Sequence, residues 1–233
     1  IGRLAAGVAH EIGNPITGIA CLAQNLKFDS DSPAINETAK DILTQTERVT
    51  RIVQSLVNFS HAGSHNNASP SEPVNLYACV DDAIHLLSLN YNEAAAVIDN
   101  QVDPQLYTEG QTQALLQVFI NLIKNALQAL NGQPDASIVI ASHTQGQQVL
   151  LYFDDNGPGI SSDVQETIFE PFFTTKEPGE GTGLGLSLVY NMIEEHGGQI
   201  KVQSPIAANK LGCRFVISLP RLADNLPNID ETV

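Results

Sequence analysis

His10-Glu11-Ile12-Gly13-Asn14-Pro15 pairs a nucleophile with a base. His10 and Asn14 stand four apart and share one face of a helix. Glu11, about 100° round the same helix, is long enough to lean back toward the imidazole. A neutral imidazole whose other proton goes to a carboxylate is a competent nucleophile. Asn14 stands where His-Glu-x-x-His would place its second histidine, so a zinc-protease reading fails. The plainer alternative is a helical histidine without chemistry. His61, His65, His85, His143 and His196 have no such company and read as structural or solvated.

Phe153-Asp154-Asp155-Asn156-Gly157-Pro158-Gly159-Ile160 follows an apolar, β-prone run from Val149. A strand ending in a carboxylate and a Gly-Pro-Gly turn delivers that carboxylate to a fixed place. Glycines let backbone approach a flat ligand closely. An ionised Asp155 only accepts hydrogen bonds, so it suits an exocyclic amino group such as that of adenine. The same letters are also ordinary turn chemistry.

On the helix predicted for 111–130, Gln117, Asn121, Asn125 and Gln128 share a face among apolar neighbours. An amide oxygen can ligate a hard cation such as Mg²⁺ without adding negative charge beside phosphates. A solvated polar face is the alternative. Gly179-Glu180-Gly181-Thr182-Gly183-Leu184-Gly185-Leu186 opens another helix, where N–H groups and the helix dipole can surround phosphate oxygens. It is neither a P-loop nor G-x-G-x-x-G, and a plain hinge would look the same. Lys176, in Phe172-Phe173-Thr174-Thr175-Lys176, can reach a phosphate or be simply solvated. Phe169, Phe172 and Phe173 are expected to anchor that loop on an apolar surface.

These groups need elements to position them. Leu4, Val8, Ile12, Ile16 and Ile19 predict a helix over about 3–28, with a kink where Pro15 removes a hydrogen bond. Gly7, Gly13 and Gly18 each cost it about 1 kcal/mol relative to alanine. After a turn at 29–33, a helix over about 34–61 carries a heptad seam of Ile35, Ile42, Val49 and Leu56, joined by Ile52 and Phe59. One hairpin cannot bury both apolar stripes, so a dimeric four-helix bundle is expected. The polar, Pro-containing stretch 63–73 is the expected linker. Beyond it come a short strand at 74–76, a helix at 80–89, and extended segments near 97–102 and 106–107. The helix at 111–130 follows, then strands at 137–143 and 148–154. A short helix capped by Ser161 should run to about Phe169, with a loop at 170–182, a helix at 184–195, and strands at 199–204 and 213–219. The expected fold class is α+β in two domains: a helical hairpin, then a two-layer sandwich. The expected boundaries are 1–62, a linker at 63–73, 74–221, and an acidic tail at 222–233.

Net charge is −15, with 26 acidic against 11 basic side chains. That argues against a nucleic-acid or anionic-membrane surface. Cys21, Cys79 and Cys213 are far apart and odd in number, and read as reduced, packed thiols in a cytoplasmic setting. No run approaches the length of a membrane span, so no membrane contact is expected. Ile1 is not an initiator methionine, so the chain is expected to be the soluble part of something longer, and a membrane anchor elsewhere in the full-length protein is compatible with it.

In this order the blocks resemble the sensor histidine kinases of two-component signalling. His10-Glu11-x-x-Asn14-Pro15 resembles the family's phosphoacceptor box, and Asn121-Leu-Ile-Lys-Asn125-Ala its N box. Asp155-x-Gly157-x-Gly159 resembles the G1 box, Phe169 to Phe173 the F box, and Gly181-x-Gly183-x-Gly185 the G2 box. The resemblance runs from about Arg3 to Pro220 and lies nearest the nitrogen-regulatory subtype. It implies a dimerisation and phosphoacceptor hairpin followed by a Bergerat-type ATP-binding domain. By position it implies ATP and Mg²⁺ bound by Asn121, Asn125, Asp155, Gly157, Gly159, Lys176, Gly181, Thr182, Gly183, Leu184 and Gly185, with Asn125 on the metal. It implies autophosphorylation of His10 with Glu11 as base, and a homodimer joined through the hairpin. The phosphoryl group would then pass to a response-regulator receiver domain, which Asn14 would help to dephosphorylate. A non-catalytic or phosphatase-dominant nucleotide-binding scaffold is the alternative.

Overall fold

The computed structural model describes residues 16–26, 32–62, 71–89, 96–176, 182–207 and 211–222. The chain groups into two compact units, Ile1–Asn67 with Glu170–Leu188, and Ala68–Phe169 with Val189–Val233. In the first, residues 16–26 are helical (α1) and Pro33–Ala62 forms α2. Pro33 sits in the first turn, where its missing N–H has no intrahelical partner to lose. Thr38, Thr44, Thr46 and Thr50 turn their hydroxyls onto carbonyls of their own helix. The buried series on α2 is Ala39, Thr46 and Val53. Within one chain Ile35 and Val49 of the expected seam stay exposed, as do Ile19, Leu22 and Leu26 on α1. Small Ala39 and Thr46 fill the buried positions, and the larger side chains flank them in solvent. The side chains of Ile52, Leu56 and Phe59, the kink at Pro15, and most of the turn at 29–33 and of the linker at 63–73 lie outside the described residues.

From Glu72 onward the elements are β1 (Glu72–Asn75), α3 (Leu76–Ser88), β2 (Val97–Gln101), β3 (Tyr107–Gly110), α4 (Thr112–Ala129), β4 (Ser137–Gln145) and β5 (Gln148–Asp155). Then come α5 (Ser162–Gln165), α6 (Gly185–Glu195), β6 (Gln199–Gln203) and β7 (Cys213–Pro220). β1 and β3 form a two-stranded antiparallel pair. The other strands form a mixed sheet in the order β2-β4-β5-β7-β6, parallel only between β2 and β4. Among the boundaries that depart from the sequence expectation, two are at helices. α3 starts at Leu76 rather than Val80, because the Asn75 side chain accepts the Ala78 N–H at 2.9 Å and caps the helix. α5 stops at Gln165 rather than near Phe169, and the Ser161 hydroxyl makes no capping bond.

Alternation along β5 buries Val149, Leu151, Phe153 and Asp155, and along β7 it buries Cys213, Phe215, Ile217 and Leu219. α4 covers that face with Leu115, Val118, Phe119, Leu122, Ile123 and Leu127, and Phe119 stacks on Phe153 at 5.6 Å. Phe153 and Asp155 are two apart, so the face that meets α4 also carries the Asp155 carboxylate.

His196 sets the start of α4. Its Nε2 accepts the Gln111 N–H at 3.0 Å, and Nδ1 donates to the Met192 carbonyl at 2.6 Å. The structural reading of this histidine therefore holds, and Gly110 makes room for it, since a Cβ there would stand 2.4 Å from the ring. Among the described residues, no helix is long and apolar enough to cross a membrane.

Candidate nucleotide site

β5 ends at Asp155, which is only 7% exposed. Its Oδ1 accepts the Gly157 N–H at 2.9 Å and the Cys213 N–H at 3.3 Å. Among the described residues nothing donates to Oδ2, so that oxygen keeps its acceptor capacity. Burial raises the Asp155 carboxyl above the usual carboxylate range. The two N–H groups pull it down, and the charge of Asp154 adds to the rise.

The turn after Asp155 is fitted to this carboxylate. A Cβ on Gly157 would stand 2.9 Å from Oδ1, and one on Gly159, at φ 81°, would stand 2.6 Å from the Ser204 hydroxyl. Asn156 fastens the turn to β4: its side chain accepts the Ser137 N–H and donates to the Asp135 carbonyl, both at 2.8 Å. Leu130, closing α4, lies 3.5 Å from where a Gly157 side chain would begin. Asp154, one residue back, faces the other side of the sheet and takes both Nε and the terminal nitrogen of Arg214. The strand thus gives its two carboxylates different work, one a paired ion and one a buried acceptor.

On α4, Gln117, Asn121, Asn125 and Gln128 are all half-buried, while Lys124 between them is exposed. The Gln117 amide donates to Asn121 Oδ1 at 3.3 Å. Asn121, Asn125, Asp155, Gly157 and Gly159 all belong to one unit. The amide oxygen of Asn125 is a hard, uncharged donor, which beside phosphate oxygens would suit Mg²⁺.

In the other unit, Gly183 adopts φ 66° and its carbonyl accepts the Phe172 N–H at 2.8 Å. A Cβ on Gly183 would stand 2.3 Å from Phe172 backbone, so only glycine fits. The Thr182 hydroxyl accepts the Leu184 N–H at 3.4 Å, and Leu184 is buried. Gly185 opens α6, and a Cβ there would meet nothing within 4 Å. Lys176 is half-buried, with its N–H on the Thr174 hydroxyl at 3.2 Å. Phe172 does not anchor the loop as expected: it is 63% exposed, at φ 69°. In the second unit Phe169 packs between the rings of Tyr190 and Phe215, at 5.8 and 6.4 Å.

His10, Glu11, Asn14 and Gly181 lie outside the described residues. The cysteine expectation needs one correction, because Cys21 is exposed. Cys79 and Cys213 are buried, and burial pushes both thiols up to about 12. Sequence reasoning missed Gln165, and Ser204 and Gly212 from a distant part of the chain, which together brace the turn.

Asp155 thus ends a strand on the sheet face that α4 covers, and α4 carries the half-buried amides. Residues 110–223 match the family described as Histidine kinase-, DNA gyrase B-, and HSP90-like ATPase, and residues 1–65 match the His Kinase A (phospho-acceptor) domain. The chain belongs to the sensor histidine kinases of two-component systems. It is 33% identical to the signal transduction histidine-protein kinase AtoS of Escherichia coli, over 94% of this chain and 35% of AtoS. It is 36% identical to the sensor histidine kinase ZraS of Escherichia coli O157:H7, over 94% of this chain and 46% of ZraS. The sensory histidine kinase/phosphatase NtrB of Salmonella typhimurium is 32% identical, over 86% of this chain and 58% of NtrB. The chain thus spans between 35% and 58% of these relatives. Among solved structures, the histidine kinase ThkA in complex with the response regulator TrrA is 27% identical with a TM-score of 0.65, covering 97% of this chain and 63% of that one. Full-length ShkA, with a TM-score of 0.77 over 95% of this chain and 46% of its own, is 20% identical and shares the fold.

Proposed function

We propose that this chain is the catalytic core of a sensor histidine kinase, which moves the γ-phosphoryl group of ATP to His10 and then to an aspartate of a response-regulator receiver domain. The observation that carries the reading is Asp155, with one oxygen held by two backbone N–H groups and the other left to accept a base amino group. ATP would lie on Asn121, Asn125, Asp155, Gly157 and Gly159; Lys176, Gly181, Thr182, Gly183, Leu184 and Gly185 are the further phosphate-binding residues that the family resemblance implies. Asn125 would hold Mg²⁺, which neutralises phosphate charge when bound. His10 attacks the γ-phosphorus as the bond to the bridging oxygen breaks, ADP leaves, and Glu11 takes the ring proton. Such transfer depends chiefly on positioning and charge neutralisation.

Residues 1–62 then serve as the dimerisation and phosphoacceptor domain, 63–73 as the linker, 74–221 as the ATP-binding domain and 222–233 as a tail. The exposed Ile19, Leu22, Leu26, Ile35 and Val49 support a homodimer, since a second hairpin would cover them. The acidic balance supports a protein partner rather than nucleic acid. Incubation with γ-labelled ATP and Mg²⁺ tests the reading. Acid-labile, alkali-stable label is expected; acid-stable label contradicts it.

The likeness to a protein named kinase/phosphatase favours a second activity. On this reading Asn14, three residues after Glu11, would orient water against a phosphorylated receiver domain. Asn14→Ala is expected to lower regulator dephosphorylation by at least about tenfold, the loss of one well-placed hydrogen bond, while autophosphorylation changes little. Equal loss of both activities would refute the separation.

A further inference from the structure

The Asp155 site is braced by a side chain from a distant loop. Ser204, just beyond β6, accepts the Ile160 N–H at 2.8 Å and donates to the Gly212 carbonyl at 2.8 Å. The Gln165 amide spans the same gap, donating to the Ile160 carbonyl at 2.8 Å and the Ser204 carbonyl at 2.7 Å. Three segments therefore meet at one hydroxyl: the turn after β5, the loop after β6, and the start of β7.

The consequence lies in the Gly212–Cys213 peptide. Its carbonyl takes the Ser204 hydroxyl proton, and its N–H donates to Asp155 Oδ1. A trans peptide is planar, with its carbonyl and N–H pointing in opposite directions. Fixing the carbonyl therefore aims the N–H. Hydrogen bonds in such a chain also polarise one another, which strengthens the bond to the carboxylate. On its other side the hydroxyl holds the Ile160 N–H and so fixes the Gly159–Ile160 peptide of the turn, whose Gly157 N–H is the second donor to Oδ1. The missing side chain of Gly159 leaves the space the hydroxyl occupies.

We propose that Ser204, supported by Gln165, is a positioning residue for base recognition: it aims the Cys213 N–H and the Gly157 turn at one oxygen of Asp155, so that the other oxygen is presented to the nucleobase. The proposal rests on the reading of Asp155 as the base acceptor. It differs from a loop-packing role in what it predicts. A loosened loop weakens every nucleotide alike, whereas a misaimed carboxylate weakens only the base that Asp155 recognises.

The test is equilibrium binding of ATP and of GTP to the 233-residue chain, compared between wild type and variants. Ser204→Ala is expected to lower ATP affinity about tenfold, the worth of one or two hydrogen bonds, and to leave GTP affinity unchanged. Ser204→Thr, which keeps the hydroxyl, is expected to restore the preference for ATP. Gln165→Met is expected to shift the preference in the same direction by a smaller factor, and decides the matter if circular dichroism shows Ser204→Ala unfolded. An unchanged ATP-to-GTP ratio in Ser204→Ala or Gln165→Met, or an equal loss of both nucleotides, overturns the proposal. Asp155→Asn separates the two levels of the argument. If it removes the preference while the Ser204 and Gln165 variants keep it, only the positioning role fails. If it leaves the preference intact, the base-acceptor reading fails, and the proposal falls with it.

Discussion

Asp155→Asn is expected to bind ATP about a hundredfold more weakly and yet, without nucleotide, to be more stable than wild type at neutral pH. The amide keeps an oxygen for the Gly157 and Cys213 N–H groups, so the turn survives. The second oxygen becomes an NH₂ donor, which faces the base amino group donor to donor. Losing a charged acceptor and leaving two donors opposed costs about 3 kcal/mol, or about two decades in Kd. The stability change has the opposite sign. The folded-state pKa of Asp155 is raised, chiefly by burial, so folding favours the protonated carboxyl. That stabilisation is complete below the unfolded value, near about pH 4, and is lost as pH rises through the folded value. Wild type loses it as the carboxyl ionises, whereas the amide stays neutral throughout. Thermal melts of the nucleotide-free chain should therefore show a Tm advantage for the variant at pH 7 that shrinks toward pH 4. A Tm deficit for the variant at pH 7 would mean that the ionised carboxylate stabilises the fold, against this account.

Gly212→Ala is expected to be among the most damaging small substitutions in the chain. Gly212 sits at φ 117°, where side-chain-bearing residues are strained, and a Cβ there would stand 2.1 Å from the Asp155 carbonyl oxygen. Backbone on both sides is held by the β5–β7 ladder, including the Asp155–Cys213 pair, so neither can retreat cheaply. Strain and overlap together should cost about 4 kcal/mol, or about 10 °C in Tm for a domain of this size. Nucleotide affinity should fall as well, because the displaced peptide carries the Cys213 N–H. Gly185→Ala is the matched control: it adds the same methyl group where nothing lies within 4 Å. A melt in which both variants fall within about 1 °C of wild type would refute the close-packing argument at Gly212.

The contrast between these two glycines shows what can be read from the sequence. Asp155 was legible because its signal is local: an apolar strand, a carboxylate and a Gly-Pro-Gly turn lie consecutively. The amide stripe of α4 was legible because helical periodicity puts Gln117, Asn121 and Asn125 on one face whatever surrounds them. Ser204 and Gln165 were not, since Ser204 meets the turn across 44 positions, Gln165 meets Ser204 across 39, and a serine in a loop carries no signature of its target. The first turn of α3 was missed because its apolar residues do not mark its start; the Asn75 cap does. On α2 two stripes are periodic: Ala39, Thr46 and Val53 are buried within one chain, and Ile35 and Val49 of the heptad are left uncovered there. Periodicity identifies a stripe; which stripe is buried depends on how close the neighbouring backbone comes. Phe172 failed as an anchor for a similar reason, because its N–H is held by Gly183 in a left-handed conformation that leaves the ring in solvent.

The most direct test of the central claim is to incubate wild type and His10→Gln with γ-labelled ATP and Mg²⁺, and to follow label on the protein through acid and alkali. The account predicts acid-labile, alkali-stable label on wild type and none on His10→Gln, with ATP binding equal in the two proteins. Label that persists on His10→Gln, or wild type that binds ATP and stays unlabelled, would contradict it.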